Sequence, residues 1–224
     1  MTDIERQGRL ITFEGGEGAG KSTQMVHLRD RLSAAGVKVV TTRAPGGTPF
    51  AEQVREFILS PDTKPHAPLA EALLFTAARA DHVETVIEPA IAAAKWVLCD
   101  RFTDSTRAYQ GAAGGVDQEK LRVLENVVIG TKQPDLTFIL DLPAQAGLAR
   151  AGKRAAEQQN EGAPGDDPYE ARDLAFHERL REGFLEIARE EPERCVIVDA
   201  QQSEKRITDK IWRIVIERLD LGES

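Results

Sequence analysis

Five short runs of the chain are apolar almost throughout, and they occupy residues 9–14, 37–42, 95–100, 136–142 and 195–200. Strands that are covered on both faces have this continuous apolar character, whereas half-exposed strands alternate apolar and polar residues. The segments between the runs instead repeat their apolar residues every three or four positions, as amphipathic helices do. This alternation predicts an α/β fold in which a five-stranded parallel sheet is flanked by helices in three layers.

The helical pattern is clearest in two of the intervening segments. Met25, Leu28 and Leu32 share one face of the first, and the apolar residues of 207–219 share one face of the last. A third segment, residues 69–94, is rich in alanine, leucine and glutamate, but it contains Pro89. Proline removes a backbone donor and crowds the preceding turn, so we expect the helix to break or bend there.

One stretch departs from the alternation. Residues 152–172 lack a strong apolar period and carry a polar Gly/Pro/Asp cluster at their centre. We interpret them as a mobile surface excursion within one domain that spans residues 1–224, because a linker would separate two apolar cores. The excursion is predicted to form part of a lid at about residues 147–170.

A glycine-rich segment connects the first predicted strand to the first predicted helix. Gly15, four intervening residues and then Gly20-Lys21-Ser22 fit the pattern G-x-x-x-x-G-K-[ST] in the strand-to-helix context that this pattern requires. Its glycines allow successive N–H groups to converge on an anion, and the helix N-terminus adds partial positive charge. Lys21 is predicted to reach the β- and γ-phosphates of a nucleoside triphosphate, and the hydroxyl of Ser22 to ligate Mg²⁺.

Composition narrows the classes of partner. The 29 basic and 37 acidic residues give a net charge of −8, which argues against a nucleic-acid-binding protein because those usually carry a basic surface. The N-terminal residues are polar, and no apolar run approaches the length of a membrane span, so we expect a soluble cytoplasmic protein. Cys99 and Cys195 stand alone in apolar runs and are interpreted as buried thiols.

The phosphate-binding motif is shared by GTPases, motor ATPases and small-molecule kinases. Neither the N-K-x-D element nor the D-x-x-G switch of GTPases is present, and an arginine follows the acidic end of the third strand where transporter-type ATPases have glutamate. The remaining class transfers phosphate to a small acceptor and needs a second group of cations near the strand ends. Candidates for this group and its surroundings are Arg43, Phe75, Arg79, Asp100, Arg101, Thr106 and Tyr109.

Four segments together resemble one family. They read GGEGAGKST, TRAPGGT, LLFTAARADH and DRFTDSTRAYQG, and they are similar to the corresponding motifs of bacterial thymidylate kinases over roughly residues 10–197. The resemblance implies a P-loop kinase fold with a lid. It also implies a homodimer that transfers the γ-phosphate of ATP to dTMP with Mg²⁺ and yields dTDP. A kinase of another nucleoside monophosphate such as UMP or CMP, or a nucleotide-binding regulatory protein with weak catalysis, remain the alternatives.

The resemblance also implies which residues hold ATP. The phosphates would be held by Gly15, Gly16, Glu17, Gly18, Ala19, Gly20, Lys21, Ser22 and Thr23, the last of which has helix capping or packing as an alternative role. Glu17 would also approach the 3′-hydroxyl of the acceptor sugar. The loop itself contains no arginine, so a lid cation (Arg150, Lys153 or Arg154) would have to assist phosphoryl transfer.

For the acceptor, the resemblance implies that Phe75 stacks on the thymine ring. Arg79 would bind a base carbonyl, and Thr106 would lie at the edge of the base. Arg43 and Arg101 would bind the acceptor phosphate. Asp100 would help to organise Mg²⁺ and Arg101. Tyr109 and Gln110 would enclose the deoxyribose.

Two positions depart from the family pattern. Ala44 stands where the family usually has a glutamate that would orient Arg43 or bind Mg²⁺ indirectly, and Pro168 stands where its lid usually has an arginine, although Asp167 and Glu170 remain. These departures lead us to expect a weaker role for Arg43, and either a larger contribution from Arg150, Lys153 or Arg154 or a lower turnover.

Overall fold

The fold is built on a five-stranded parallel sheet with the strand order β2-β3-β1-β4-β5. The structure is a computed structural model that describes residues 7–60, 66–130, 132–159, 168–219 and 221. Its strands are β1 Arg9–Glu14, β2 Val39–Arg43, β3 Trp96–Asp100, β4 Leu136–Asp141 and β5 Cys195–Asp199. All five predicted strands are confirmed, and the largest difference is that β2 begins two residues later, because Val37 still donates to Leu32 of the preceding helix.

Helices connect the strands and cover both faces of the sheet. Their bounds are α1 Lys21–Ala34, α2 Pro49–Leu59, α3 Pro68–His82, α4 Glu88–Ala92, α5 Thr103–Thr106, α6 Gln118–Ile129, α7 Ala144–Gln159, α8 Leu174–Glu190 and α9 Glu204–Arg218. Two π-helical segments, Val83–Ile87 and Arg107–Ala113, follow α3 and α5. The order of elements confirms the predicted α/β class.

The core divides at the sheet, because neighbouring residues of a strand face opposite sides. Phe13 of β1 packs in one buried cluster with Leu28 of α1 and Ile211 of α9. On the other side of the sheet, Leu10 of β1 packs in a second buried cluster with Val83 and Ile87. The helices therefore form two layers around the sheet, which is the predicted three-layer arrangement.

The helical segment that contains Pro89 is interrupted but continues in the same direction along the chain. The π-helical segment Val83–Ile87 lies directly before it, and Pro89 is the second residue of α4. A π-helical turn is wider than an α-helical one, which leaves room for the proline ring and removes the need for its missing N–H. The predicted break is therefore a local widening of the helix.

The first part of the predicted excursion is regular structure. Helix α7 extends to Gln159, so residues 152–159 are helical, and Ala151 is buried. Alanine, arginine and glutamine favour this helix even without a strong apolar period. Asp167, one of the residues expected in the lid, lies outside the described residues, and Pro168 begins a turn.

Candidate active site

The loop between β1 and α1 is shaped by glycines whose conformations other residues rarely adopt. Gly15 has φ 131°, and a Cβ there would lie 2.5 Å from the carbonyl oxygen of Leu140. Gly20 precedes α1 with φ 88°, and because glycine has no side chain it cannot cap the first N–H groups of the helix. The first N–H groups of α1 are thus left available at the end of a 14-residue helix, as anion-binding loops require.

Lys21 is the cation of this loop, and it is buried. Its Nζ donates to the carbonyl oxygens of Gly15 at 3.1 Å and Gly16 at 2.8 Å. Burial, together with the positive charge of Arg101, lowers the pKa of Lys21 to about 8. A ligand with several negative charges would favour the charged form of Lys21 against both the burial and the repulsion from Arg101, so the site is suited to a polyphosphate.

Ser22 and Thr23 occupy the first turn of α1 and differ in their surroundings. The Ser22 hydroxyl donates to Asp100 Oδ2 at 2.5 Å, which joins the loop to the end of β3. Thr23 is exposed, so the packing role considered for it is wrong, and Gly20, not Thr23, is the N-cap of α1.

A cavity of about 270 Å³ lies against the loop at the carboxyl ends of the strands. It brings together most of the predicted site residues, namely Glu17, Lys21, Ser22, Arg43, Phe75, Arg79, Asp100, Arg101, Thr106, Tyr109, Gln110 and Arg154. The two groups of cations expected from the sequence therefore share one space. Other residues of the loop, Gly15, Gly16, Gly18, Ala19 and Gly20, contribute backbone and do not line the cavity.

The inner end of the cavity combines an aromatic ring with an arginine. Phe75 and Arg79 lie one turn apart on α3, and both are buried. The Arg79 guanidinium donates to Thr106 Oγ1 at 2.7 Å and to the carbonyl oxygen of Phe102 at 3.1 Å. Within the described part of the chain its Nε is buried without a hydrogen-bond partner, so the guanidinium is not fully hydrogen-bonded.

Arg101 lies between this end of the cavity and the phosphate-binding loop. Its NH1 donates to the carbonyl oxygen of Gly15 at 3.1 Å and its NH2 to Glu17 Oε1 at 2.8 Å. The guanidinium lies 4.9 Å from the centre of the Tyr109 ring. Although burial works against the charged form, Tyr109, Glu17 and other neighbours outweigh it and raise the pKa of Arg101.

Glu17 links Arg101 to Tyr109. Its Oε1 accepts hydrogen bonds from both the Arg101 guanidinium and the Tyr109 hydroxyl, and the side chain is 13% exposed. Burial alone would raise the pKa of Glu17, but Arg101, Lys21 and Tyr109 lower it to about 2. Glu17 is therefore an ionised acceptor at neutral pH.

Arg101 has a left-handed backbone, with φ 67°. Its N–H donates to the carbonyl oxygen of Phe13, and the next N–H, that of Phe102, donates to Glu14 Oε1 at 2.7 Å. Glu14 also accepts a hydrogen bond from the Ser105 hydroxyl at 2.6 Å. Burial and the nearby Asp104 raise the pKa of Glu14 to about 7. The sequence analysis missed Glu14, although a lone acidic residue at the end of an apolar strand is a signal for such a role.

Arg43 is the last residue of β2 and is held by a residue of α2. Its NH2 lies 2.9 Å from Glu52 Oε2, and Glu52 Oε1 accepts the N–H of Gly47 at 3.0 Å. The carboxylate that the sequence analysis found to be missing at Ala44 is thus supplied by Glu52. Arg55, one turn further along α2, also lines the cavity and was not predicted. Its place on the helix that follows Arg43 was the available signal.

The lid cations point in different directions. Arg154 lines the cavity, and its NH2 lies 3.3 Å from Glu170 Oε1. Arg150 instead donates to the carbonyl oxygen of Ala200, in the connection between β5 and α9, at 3.2 Å. Lys153 is 80% exposed and lies 4.0 Å from Glu157. Of the three cations considered, only Arg154 reaches the shared cavity, and Tyr169 beside Glu170 is a further lining residue that the sequence analysis missed.

A phosphate-binding loop that faces a cationic acceptor pocket across the carboxyl ends of a parallel sheet defines a P-loop kinase. The thymidylate kinase family model matches residues 13–211, which is most of the chain. The chain therefore belongs to the thymidylate kinase family, as the resemblance of its motifs indicated.

Comparison with known proteins supports this family membership. The chain is 50% identical to a thymidylate kinase from Bradyrhizobium diazoefficiens over 95% of its own length and 91% of the other protein. It is 51% identical to a thymidylate kinase from Caulobacter vibrioides, with coverages of 96% and 99%. The crystal structure of thymidylate kinase from Ehrlichia chaffeensis superposes with a TM-score of 0.73 at 33% identity and covers 93% of this chain. In the described residues, no helix has the length and apolar character needed to cross a membrane.

Proposed function

We propose that this protein transfers the γ-phosphate of ATP to the phosphate of dTMP and releases dTDP and ADP. An oxygen of the acceptor phosphate attacks the γ-phosphorus, and the bond to the β,γ-bridging oxygen breaks. The observation that carries the proposal is the single cavity that Lys21 shares with Arg79 and Arg101. Phosphoryl transfer depends mainly on in-line positioning and on cations around the transferred group, and a shared cavity lined by cations from both sides supports such a role.

On the donor side, the backbone of residues 15–22 would hold the β- and γ-phosphates, and Lys21 would neutralise them. The glycine conformations and the uncapped start of α1 support this role. Arg154 would add a cation to the transferred phosphate, because it is the lid cation that lines the cavity. Its distance of 3.3 Å to Glu170 indicates a contact that can be exchanged for phosphate.

On the acceptor side, Phe75 would stack on the thymine ring, and the guanidinium of Arg79 would reach a base carbonyl, since both residues line the cavity. Thr106, which already accepts a hydrogen bond from Arg79, would meet the edge of the base. Arg43, Arg101 and Arg55 would hold the acceptor phosphate, since all three line the cavity.

The sugar would lie beside Glu17, Tyr109 and Gln110. The low pKa of Glu17 suits an acceptor for the 3′-hydroxyl. Tyr109 and Gln110 are both buried and line the cavity, so they would enclose the deoxyribose.

Mg²⁺ would be held by oxygen atoms near Ser22 and Asp100. A hydroxyl and a carboxylate 2.5 Å apart are hard donors that fit this ion, which usually takes few protein ligands and completes its shell with phosphate and water. When bound, Mg²⁺ neutralises charge on the phosphates of ATP. Ser22 and Asp100 would orient the ion, and Lys21 would hold the phosphates against it.

The protein is proposed to be a cytoplasmic homodimer. Leu69 and Leu73 are 40% and 50% exposed one turn apart on α3, and Val123 and Val127 are 62% and 79% exposed one turn apart on α6. Helices α3 and α6 pack against one another, so these apolar side chains lie on neighbouring elements. Light scattering is expected to give the molar mass of two chains for the wild type. The Val127→Asp variant is expected to give the molar mass of one chain.

The test of the reaction is turnover against a panel of monophosphates. The purified protein with ATP and Mg²⁺ is expected to convert dTMP to dTDP faster than it phosphorylates UMP, dUMP or CMP, as measured by chromatography of the nucleotides. A preference for UMP or CMP would overturn the choice of acceptor. Tight binding of ATP and dTMP without dTDP would indicate a regulatory protein.

A further inference from the structure

A buried group of three polar residues lies behind the acceptor pocket. Glu71 of α3, Gln110 of the second π-helical segment and Tyr169 are 7%, 2% and 9% exposed. Tyr169 donates its hydroxyl to Glu71 Oε2 at 2.7 Å, and Gln110 Nε2 lies 3.2 Å from the same oxygen and 3.0 Å from the Tyr169 hydroxyl. We call Glu71, Gln110 and Tyr169 the buried triad.

The three members have different positions relative to the cavity. Gln110 and Tyr169 line it, whereas Glu71 does not. Among the described residues, the hydrogen bonds to Glu71 come from these two neutral side chains, and it takes part in none of the ion pairs there. Burying a carboxylate without a cation costs free energy, so its hydrogen bonds to two pocket residues need a reason beyond packing.

We propose that Glu71 is a positioning residue for the acceptor site, acting through Tyr169 and Gln110. The inference rests on the proposed function, since it assigns the support of the sugar side of the dTMP pocket. Its hydrogen bonds fix the Tyr169 ring, which packs edge-on against Tyr109 with centroids 5.3 Å apart. Tyr109 in turn donates to Glu17, so the residues beside the proposed sugar position, Glu17, Tyr109 and Gln110, are all linked to one buried oxygen of Glu71.

The same arrangement reaches the donor side. Tyr169 is followed by Glu170, which pairs with Arg154 of α7. A dipeptide that is held at Tyr169 by the acceptor pocket and at Glu170 by the lid cation joins the two substrates' sites. A loosened Tyr169 ring would therefore affect dTMP binding first, and it would reach Arg154 only through Glu170, in a contact that phosphate can replace.

Four variants test this positioning role. Glu71→Leu removes the acceptor at similar volume, Glu71→Gln keeps an oxygen, Tyr169→Phe removes the hydroxyl and keeps the ring, and the fourth combines Glu71→Leu with Tyr169→Phe. Glu84→Gln, an exposed glutamate in the π-helical segment after α3, is the control for the change of charge. KM for dTMP, KM for ATP, kcat and the melting temperature are measured, together with direct binding of dTMP by calorimetry.

We expect Glu71→Leu and Tyr169→Phe each to raise KM and Kd for dTMP about tenfold, the size of one lost hydrogen bond to a charged group. Glu71→Gln should raise them only two- to threefold, and KM for ATP should change less than twofold in every variant. Both substitutions break the bond between Tyr169 and Glu71, and each also removes one hydrogen bond of Gln110, so the double variant should show less than the product of the two single effects.

Three results would overturn the positioning role. The first is a KM and Kd for dTMP in the single variants that stay within twofold of the wild-type values. The second is a double variant in which the two single effects multiply. The third is a rise in KM for both dTMP and ATP that accompanies a fall in melting temperature. If the wild type prefers another monophosphate, the proposed acceptor fails, and the same comparison with that monophosphate still decides the role of Glu71.

Discussion

The two halves of the site are built in different ways. The donor half is the loop of consecutive residues from Gly15 to Ser22, which lies against the cavity and offers mainly backbone groups whose direction is set by glycine conformations. The acceptor half consists of side chains from the end of β2, from α2 and α3 and from the segment after β3. Substitutions in the donor half should therefore be severe at the few positions whose side chains take part. In the acceptor half they should be graded, because several side chains share each contact.

The largest effect is expected at Lys21, the one lysine that lines the cavity in the described structure. Lys21→Ala should lower kcat by about 10³-fold or more, because a preorganised charge at the transferred phosphate is lost. Lys153→Ala, at a lysine that is 80% exposed, is the control and should leave kcat unchanged. A melting temperature like that of the wild type would show that the loss is not unfolding. Substantial remaining turnover would mean that the loop has been misread as the ATP site.

The second largest effect should separate the two lid arginines. Arg154→Ala should lower kcat by about 10²-fold with little change in KM for dTMP, because its guanidinium lines the cavity. Arg150→Ala should leave kcat within about threefold of the wild type, because Arg150 contacts Ala200 instead. Single-turnover measurements check both. A larger loss of kcat for Arg150→Ala than for Arg154→Ala would reverse the assignment.

The next effect in size is a dependence of KM for ATP on pH. Lys21 has a pKa of about 8 in the protein without ligand, and ATP favours its charged form. Above that pKa, ATP must bind together with a proton, so KM for ATP should rise about tenfold from pH 7 to pH 9 while KM for dTMP stays flatter.

Lys21→Arg is the control for this pH dependence, because arginine stays charged throughout the range. Its KM for ATP should be nearly constant from pH 7 to pH 9, whatever its kcat. A wild-type KM for ATP that stays flat to pH 10 would contradict the lowered pKa of Lys21.

The smallest effect is expected at Glu52, which holds Arg43. The two side chains are 41% and 56% exposed, and exposed ion pairs contribute little. Glu52→Gln should raise KM for dTMP only two- to threefold, whereas Glu56→Gln on the same helix should have no effect. A tenfold or larger fall in kcat would show that Glu52 takes part in the transfer itself.

The contrast between the two halves also explains what the sequence could reveal. The strands and the phosphate-binding loop depend on neighbouring residues, so apolar runs and the spacing of Gly15, Gly20 and Lys21 were sufficient to predict them. Phe75 and Arg79 were found because a helical period places them on one face. The resemblance of the motifs then suggested their roles, and those roles remain proposals.

The features that were missed depend on contacts between different elements of the fold. Glu52 of α2 pairs with Arg43 of β2, and Glu14 accepts the N–H of a residue 88 positions away. The directions of Arg150 and Arg154 are set by Ala200 and Glu170, which lie on other elements. No local period carries this information, because tertiary packing decides it.

The left-handed backbone of Arg101 has a consequence for engineering. A non-glycine residue in this conformation costs about 1–3 kcal/mol, which the surrounding hydrogen bonds must offset. Glycine would adopt the same backbone without strain, but it would leave the buried carboxylate of Glu17 without its paired cation. An Arg101→Gly variant should therefore lose turnover without gaining heat resistance, so the strained backbone at this position is no target for stabilisation.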